Sequence, residues 1–295
     1  MKVKHKKAIF SAVLAAGLYA ISTPISKLLL NNVSPTMMAG LLYLGAGIGM
    51  SIIALYRSKI GKLKKEMNFT KKDFPYIFAM VILDILAPIF LMIGLTMTTP
   101  ANVSLLNNFE IVATSLIALF LFKEIISKRL WIAIVLITFS SILLSVEDIS
   151  SFSFSLGSLF VILACICWGF ENNCTRMLSF KDPLHVVIIK GFGSGIGSLV
   201  IALVLNETST DIIYIVATLL LGFVAYGLSV YFYVYSQREL GAAKTSAYYA
   251  IAPFIGVGLS FVIFFKMPTI NYIIALLIMI IGTYFASTDH KKQNI

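Results

Sequence analysis

Charged and amide side chains interrupt several long apolar stretches of this chain. Glu110 is preceded by Asn107 and followed by Thr114 at the three- and four-residue spacings that place side chains on one face of a helix. A carboxylate that is kept away from water can take up and release a proton, or it can hold an ammonium group. This stretch therefore predicts a binding or proton-transfer site for a small solute.

A second polar face is predicted where Trp168, Glu171 and Asn172 follow each other at helical spacing. Other apolar stretches contribute further candidates for substrate binding or coupling: Asp84, Tyr226, Tyr249, Lys27 and Lys190. Ordinary structural roles stay open for all of them. Lysines near helix ends can extend to the membrane surface, and tyrosine and asparagine side chains can simply bond helices to one another.

The same residues do not suggest an enzyme. His5 and His290 lie in the terminal tails, and His185 stands at a predicted helix start. No serine or cysteine has a base at motif spacing, and no phosphate-binding loop is present in the sequence. The cysteines, Cys165, Cys167 and Cys174, fall in one apolar stretch and are expected to pack there. We expect no cofactor, no metal and no catalytic residues.

Membrane-spanning helices must position these side chains. Hydrophobic residues make up 59% of the chain and charged residues only 12%. Most of its apolar stretches are long enough, at about 1.5 Å per residue, to cross about 30 Å of hydrocarbon. Continuous stretches of this length indicate helices rather than barrel strands. Ten are predicted, the fifth and tenth being shorter: 8–30, 35–56, 75–96, 101–122, 130–146, 156–177, 183–205, 212–235, 243–264 and 270–287.

Basic residues predict how the helices are oriented. If the N-terminus is cytoplasmic, 19 of the 23 lysines and arginines fall in cytoplasmic segments, as the positive-inside rule requires. Both termini are then cytoplasmic in a multi-pass protein of the cell membrane. The net charge of +10 follows from this topology and does not indicate nucleic-acid binding. The richness in lysine, isoleucine and asparagine suggests a bacterial source.

A duplication divides the chain. Residues 45–55 and 193–203 are identical at seven of 11 positions, with an offset of 148 residues. An odd number of helices per copy makes the second copy enter the membrane from the opposite side. We therefore predict an all-α membrane protein of two inverted five-helix repeats, residues 1–149 and 150–295, around a central cavity. The spacing of Gly45 and Gly49, repeated at Gly193 and Gly197, predicts close helix packing.

Further motifs produce a resemblance to a known family. They are Trp168-Gly169, the Thr98–Ala101 and Gly241–Ala247 entries to two helices, and Phe122-Lys123-Glu124 at one helix exit. Together with the five-plus-five pattern, the chain resembles the EamA-type branch of the drug/metabolite transporter superfamily. The resemblance implies that helices one, three, four, six, eight and nine line the cavity. The sequence departs from the pattern at Met267, which stands where the second copy would repeat Glu124.

These observations predict a secondary active transporter that exports small metabolites, most plausibly aromatic or amphipathic amino acids, by alternating access coupled to protons. Efflux of drugs or organic cations is the alternative, because aromatic and carboxylate side chains suit a cation as well. The expected partners are a small-molecule substrate, the lipid bilayer and protons. Whether the protein is a monomer or a homodimer stays open, and a membrane sensor is a further alternative.

Overall fold

A computed structural model describes residues 2–59, 69–123, 126–148, 153–178, 181–209, 211–240, 245 and 248–288. Its helices form ten spans: span 1, Lys2–Ala20 and Ser22–Leu29; span 2, Pro35–Lys59; span 3, Phe74–Met97; span 4, Pro100–Leu106 and Phe109–Phe122; span 5, Lys128–Ser145; span 6, Leu156–Met177; span 7, Pro183–Val204; span 8, Ile212–Gly222, the π-helical Phe223–Leu228 and Ser229–Leu240; span 9, Ala252–Phe264; and span 10, Ile270–Ser287.

The fold is the predicted all-α membrane architecture. Among the described residues, nine spans are long and apolar enough to cross a membrane, and the helix of span 9 is shorter, with 13 residues. Spans 6 and 10 have the predicted bounds, and spans 5 and 10 are short, with 18 residues each. Between spans 5 and 6, two short strands, Val146–Asp148 and Ser153–Phe154, pair in antiparallel fashion outside the helices.

Several predicted features lie outside the described residues. They are Glu124, the tail lysines Lys291 and Lys292, and most of the entry at 241–247. The predicted boundary between residues 149 and 150 also falls there, so the exact division into 1–149 and 150–295 stays a prediction.

Helix breaks correct one prediction. Asn107, Glu110 and Thr114 were expected on one continuous helix, but span 4 is interrupted by a turn at Asn107–Asn108. The Asn108 side chain donates to the Leu105 carbonyl at 3.0 Å, a local bond through which asparagine competes with the helical pattern. Glu110 consequently lies in the first turn of a new helix near the middle of the membrane.

Proline accounts for the break in span 1. Pro24 has no N–H to donate to the Ala20 carbonyl, and the helix is interrupted one residue after Ala20, at Ile21. Span 9 has a related feature, because Pro253 lies in the first turn of a helix that follows a turn at Ala250–Ile251. These interruptions give the inner helices separate halves.

Packing of the spans shows the inverted repeat. Spans 2 and 7 pack together, as do spans 4 and 9 and spans 5 and 10. Each of these pairs maps onto itself when the two halves are exchanged. Other major contacts occur as equivalent pairs in the two halves. The contact of span 3 with span 6 corresponds to that of span 8 with span 1, and the contact of span 4 with span 6 corresponds to that of span 9 with span 1. In the same way, the contact of span 2 with span 8 corresponds to that of span 7 with span 3. A pseudo-two-fold axis therefore relates the halves.

Two glycines of span 2 allow span 8 to approach the backbone of span 2 closely. A methyl group at Gly45 would collide with the carbonyl group of Leu219, and one at Gly49 would collide with the ring of Phe223. Gly45 and Gly49 are four positions apart, and so are the residues that contact them, Leu219 and Phe223. Because lipid offers no hydrophobic drive for helix association, such close contact supplies the dispersion attraction that holds the spans together.

The second copy of the motif receives span 3 in the same way. A methyl group at Gly193 would lie 2.8 Å from a methyl carbon of Val81, and one at Gly197 would overlap the side chain of Ile85. The four-residue spacing is again shared by both partners. This repetition confirms the packing role that was predicted for the glycine motif, and it reproduces the two-fold relation at the level of single residues.

We expect Gly45→Ala to destabilise the protein by about 1–3 kcal/mol, because the added methyl group must displace the backbone of span 8. Gly17→Ala is the matched control, since no atom lies within 4 Å of a methyl group there. Thermal unfolding of the purified protein in detergent measures both. Equal midpoints for the two variants would contradict the packing role.

An ion pair outside the membrane joins the halves at the surface near the N-terminus. Lys181, just before span 7, lies 2.9 Å from the Oδ2 atom of Asp73, just before span 3. The backbone N–H and the hydroxyl of Thr70 donate to the same oxygen at 2.6 and 2.8 Å. The hydrogen bond from Lys181, aided by those from Thr70, lowers the pKa of Asp73 from 3.8 to about 2.

The lowered pKa fixes the sign of a pH effect. Asp73 favours the folded state above its ordinary pKa, near pH 4, and this contribution is lost as the pH falls toward 2. We therefore expect Asp73→Asn to lower the unfolding midpoint at pH 7, and we expect this deficit to shrink as the pH falls toward 2. Asp211→Asn is the control, because asparagine also caps the Ile213 N–H at the start of span 8. A deficit of Asp73→Asn that persisted unchanged at pH 2 would show that the charge of Asp73 contributes nothing.

Candidate functional site

One ammonium group joins two carboxylates inside the membrane. The Nζ atom of Lys190 in span 7 lies 2.8 Å from Oε1 of Glu171 in span 6 and 3.2 Å from Oδ2 of Asp84 in span 3. Asp84 has no solvent exposure, and the side chain of Glu171 is 3% exposed. Lys190 is seven residues into its span, about 10 Å from the helix end. The three predicted residues thus form a buried charge cluster.

Hydroxyl groups complete this cluster. Tyr43 of span 2 donates to Oδ1 of Asp84 at 2.9 Å, and Thr175 donates to Oε1 of Glu171. The sequence does not indicate Tyr43 as a site residue, because span 2 is otherwise largely apolar and a single tyrosine there resembles a packing residue. Its contact with Asp84 spans 41 positions of the chain. No local sequence signal distinguishes it.

Glu110 of span 4 forms a separate carboxylate site, between spans 4 and 6. The side-chain amide of Asn172 donates to Oε1 of Glu110 at 2.5 Å and lies 3.4 Å from the hydroxyl of Thr114. Asn172 directly follows Glu171, so consecutive residues of span 6 hold the two carboxylate sites side by side. Glu110 interacts electrostatically with both Glu171 and Lys190.

Aromatic rings connect the two sites. A tyrosine chain runs through spans 2, 8 and 1 to Tyr249, which lies just before span 9. The ring centroids are separated by 5.3 Å for Tyr43–Tyr226, 5.9 Å for Tyr19–Tyr226, 6.0 Å for Tyr19–Tyr249 and 4.8 Å for Tyr233–Tyr249. These spacings are typical of interacting aromatic side chains. Its Tyr43 end donates to Asp84, whereas Tyr19 and Tyr249 interact electrostatically with Glu110.

The remaining predicted residues differ in position. Trp168 and Tyr226 are buried in the cluster that also contains Tyr43, and Tyr226 lies in the π-helical part of span 8. Such π-helical turns are frequent at functional sites. Asn107 is buried at the break of span 4. Lys27 does not join this group, because its ammonium group binds backbone carbonyls at the far end of span 3.

The arrangement can bind and release small cations or protons. Two carboxylate sites, one of them partnered by an ammonium group, lie against rings that present π faces and hydroxyl groups. Glu110, Asn172, Thr114 and Tyr249 are only partly buried, whereas Ser22, Ser26 and Ser104, nearer the opposite surface, are at most 2% exposed. Solvent exposure within the site is therefore greater at the first four side chains than at these serines.

A bundle of about ten apolar helices in two inverted halves, with charged groups between them at membrane depth, is the architecture of a membrane transporter in the part of the chain that the structure describes. A comparison with known families agrees. The profile of the EamA-like transporter family matches residues 6–146 and 155–288. The chain belongs to this family and, through it, to the drug/metabolite transporter superfamily, which confirms the resemblance found in the sequence.

Individual relatives are consistent with this class. The chain is 24% identical to an uncharacterized transporter of Methanothermobacter thermautotrophicus, over 95% of this chain and 86% of that protein. It is 26% identical to the uncharacterized transporter YyaM of Bacillus subtilis, over 66% and 67% of the two chains. A protein of known crystal structure shares the fold, with a TM-score of 0.67, 18% identity and 95% coverage of both chains.

Removing the shared ammonium group leaves two buried carboxylates without their cation. We expect Lys190→Met to destabilise the protein by about 3–5 kcal/mol, the cost typical of an uncompensated buried charge. The triple variant Asp84→Asn, Glu171→Gln, Lys190→Met should recover most of this loss, since it removes the charges together. Unfolding midpoints in detergent at pH 7 compare the two, and equal midpoints would contradict the charge cluster.

Proposed function

We propose that this protein is a secondary active transporter that exports small metabolites carrying an amino group, amino acids with aromatic or amphipathic side chains among them, in exchange for protons. The observation that carries this proposal is the charge imbalance at membrane depth. In the described part of the chain, Asp84 and Glu171 contact the ammonium group of Lys190, and a third carboxylate, Glu110, is held by the neutral amide of Asn172. Fully ionised, this set carries a net charge of −2.

Such a charge is costly in a bilayer, so it favours the uptake of positive charge. Protons and the ammonium group of a substrate are the two available sources. Competition between them couples their movements: a substrate ammonium group binds an ionised carboxylate, and a proton arriving at that carboxylate releases it. This competition is the physical basis of exchange.

Glu110 is the best candidate for the substrate ammonium group. In the structure it is held by the amide of Asn172, whereas Asp84 and Glu171 already share Lys190. Tyr19 and Tyr249 supply neighbouring π faces, which attract cations and pack against apolar side chains. A substrate with an amino group and an apolar body would match this combination.

Alternating access follows from the inverted repeat. The two halves have related structures, so they can exchange conformations around the central charges and open the site to each side in turn. With the basic N-terminal side in the cytoplasm, the entrance for the substrate would lie on the cytoplasmic side, next to the partly buried Glu110 and Asn172. A substrate would enter there and leave on the opposite side, which is the direction of export.

Organic cations are a second candidate substrate, and one observation favours them. Lys190 contacts two carboxylates already, so this ammonium group is committed before a substrate arrives. An amino acid brings its own carboxylate, which would have to compete for that ammonium group. A cation without a carboxylate avoids the competition.

Transport in liposomes tests these proposals. We expect the wild-type protein to transport a labelled amino acid, or a cationic dye, when a pH gradient is imposed. Glu110→Gln should reduce the transport rate at least about tenfold, because a neutral amide cannot exchange a proton for a cation. Asp211→Asn is the control, since it removes one negative charge at the start of span 8, away from the site.

Each outcome has a defined meaning. Movement of the amino acid alone supports the first candidate, and movement of the dye alone supports the second. Gradient-driven transport that survives in Glu110→Gln would contradict the role of Glu110. Transport that is indifferent to the pH gradient would contradict coupling to protons.

A further inference from the structure

A cavity lies at the membrane surface opposite the N-terminal side, away from the central site. Its volume is about 360 Å³, and it is formed where spans 1, 3, 4 and 9 end or begin. The lining residues are Lys27, Thr96, Met97, Thr98, Thr99, Pro100, Phe264 and Lys266. Two of them are lysines, and among the described residues the lining contains no carboxylate.

Lys27 forms a fixed wall of this cavity. Its ammonium group donates to the carbonyls of Leu95, Thr96 and Thr98, the last two at 3.2 and 3.1 Å. These carbonyls belong to the C-terminal end of span 3, where the helix dipole is negative and attracts a cation. The bonds hold the positive charge of Lys27 at the cavity and offset part of it.

Lys266 brings the second positive charge. It follows Phe265, whose left-handed backbone (φ 50°) ends span 9, and its side chain is exposed. Lys27 and Lys266 line the same cavity, so their like charges repel each other. An anion placed in the cavity would relieve that repulsion and would accept hydrogen bonds from Lys266.

Two hydroxyl groups add donors to the same wall. The Thr98 hydroxyl accepts a hydrogen bond from the side-chain amide of Asn102 at 3.1 Å. The Thr99 hydroxyl accepts one from the backbone N–H of Asn102 at 3.2 Å. A threonine hydroxyl that accepts in this way still has a proton to donate. The cavity thus combines ammonium and hydroxyl donors, the groups that bind phosphate oxygens.

The surroundings of Lys266 indicate where the anion comes from. Phe265 is 86% exposed and Met267 is 93% exposed, on either side of the lysine, and Ile270 beyond them is 76% exposed. In a membrane protein such residues lie among lipid chains or at the interface, with the lysine reaching the headgroups. We propose that this cavity binds the phosphate headgroup of an anionic phospholipid, with Lys266 as its main contact.

Lipid retention in native mass spectrometry tests this proposal. Purified full-length protein is loaded with equal amounts of phosphatidylglycerol and phosphatidylcholine, and the retained lipids are counted. We expect Lys266→Gln to retain one phosphatidylglycerol fewer than the wild type. Lys123→Gln is the matched control, because Lys123 also stands at a left-handed helix end, that of span 4, but does not line the cavity. It should retain the wild-type number.

Three results would overturn the proposal. Lys266→Gln could retain the full number of phosphatidylglycerol molecules, or Lys123→Gln could lose as many as Lys266→Gln, which would reduce the effect to overall charge. Alternatively, glycerol 1-phosphate at the same concentration could displace the lipid in the wild type, which would assign the cavity to a soluble anion. An unchanged unfolding midpoint of lipid-free Lys266→Gln checks that this variant is folded.

Discussion

A charge inside a bilayer finds no water to solvate it, so the protein itself must supply its partners. In this transporter Lys190 does so for Asp84 and Glu171 at once, and Tyr43 adds a hydrogen bond to Asp84. These groups come from spans 2, 3, 6 and 7, two from each half. The charge cluster therefore connects the two halves of the bundle inside the membrane.

Close helix packing determines the geometry of that cluster. Gly193 receives Val81, three residues before Asp84, and Gly193 itself lies three residues after Lys190. The absence of a side chain at Gly193 lets spans 3 and 7 approach until the ammonium group reaches the carboxylate. A glycine motif that the sequence predicts to pack helices thus also brings the groups of the central ion pair together. The equivalent glycine in the first half, Gly45, packs against span 8 in the same way.

Much of the architecture could be predicted because it depends on short-range rules. Apolar length predicts the spans, and proline marks the starts of spans 2 and 7 at Pro35 and Pro183. The repeated glycine segment indicates the duplication, and the odd number of helices per copy predicts the inversion. The break at Asn107–Asn108 could not be predicted in this way, because asparagine is tolerated within helices. Here the side chain of Asn108 forms a local hydrogen bond to the Leu105 carbonyl, which accompanies the break. The carboxylates could be named individually, but their partners could not.

By itself the sequence determined that the chain crosses a membrane about ten times in two inverted halves, and that Asp84, Glu110, Glu171 and Lys190 are charges at costly depth. Hydrophobicity and spacing are properties of the chain, so they can be read without a fold. Only the tertiary structure decided that Lys190 serves Asp84 and Glu171 while Glu110 is held by Asn172, and that Lys27 binds the end of span 3. Those pairings depend on how each helix is rotated about its own axis, which contacts among residues distant in sequence determine.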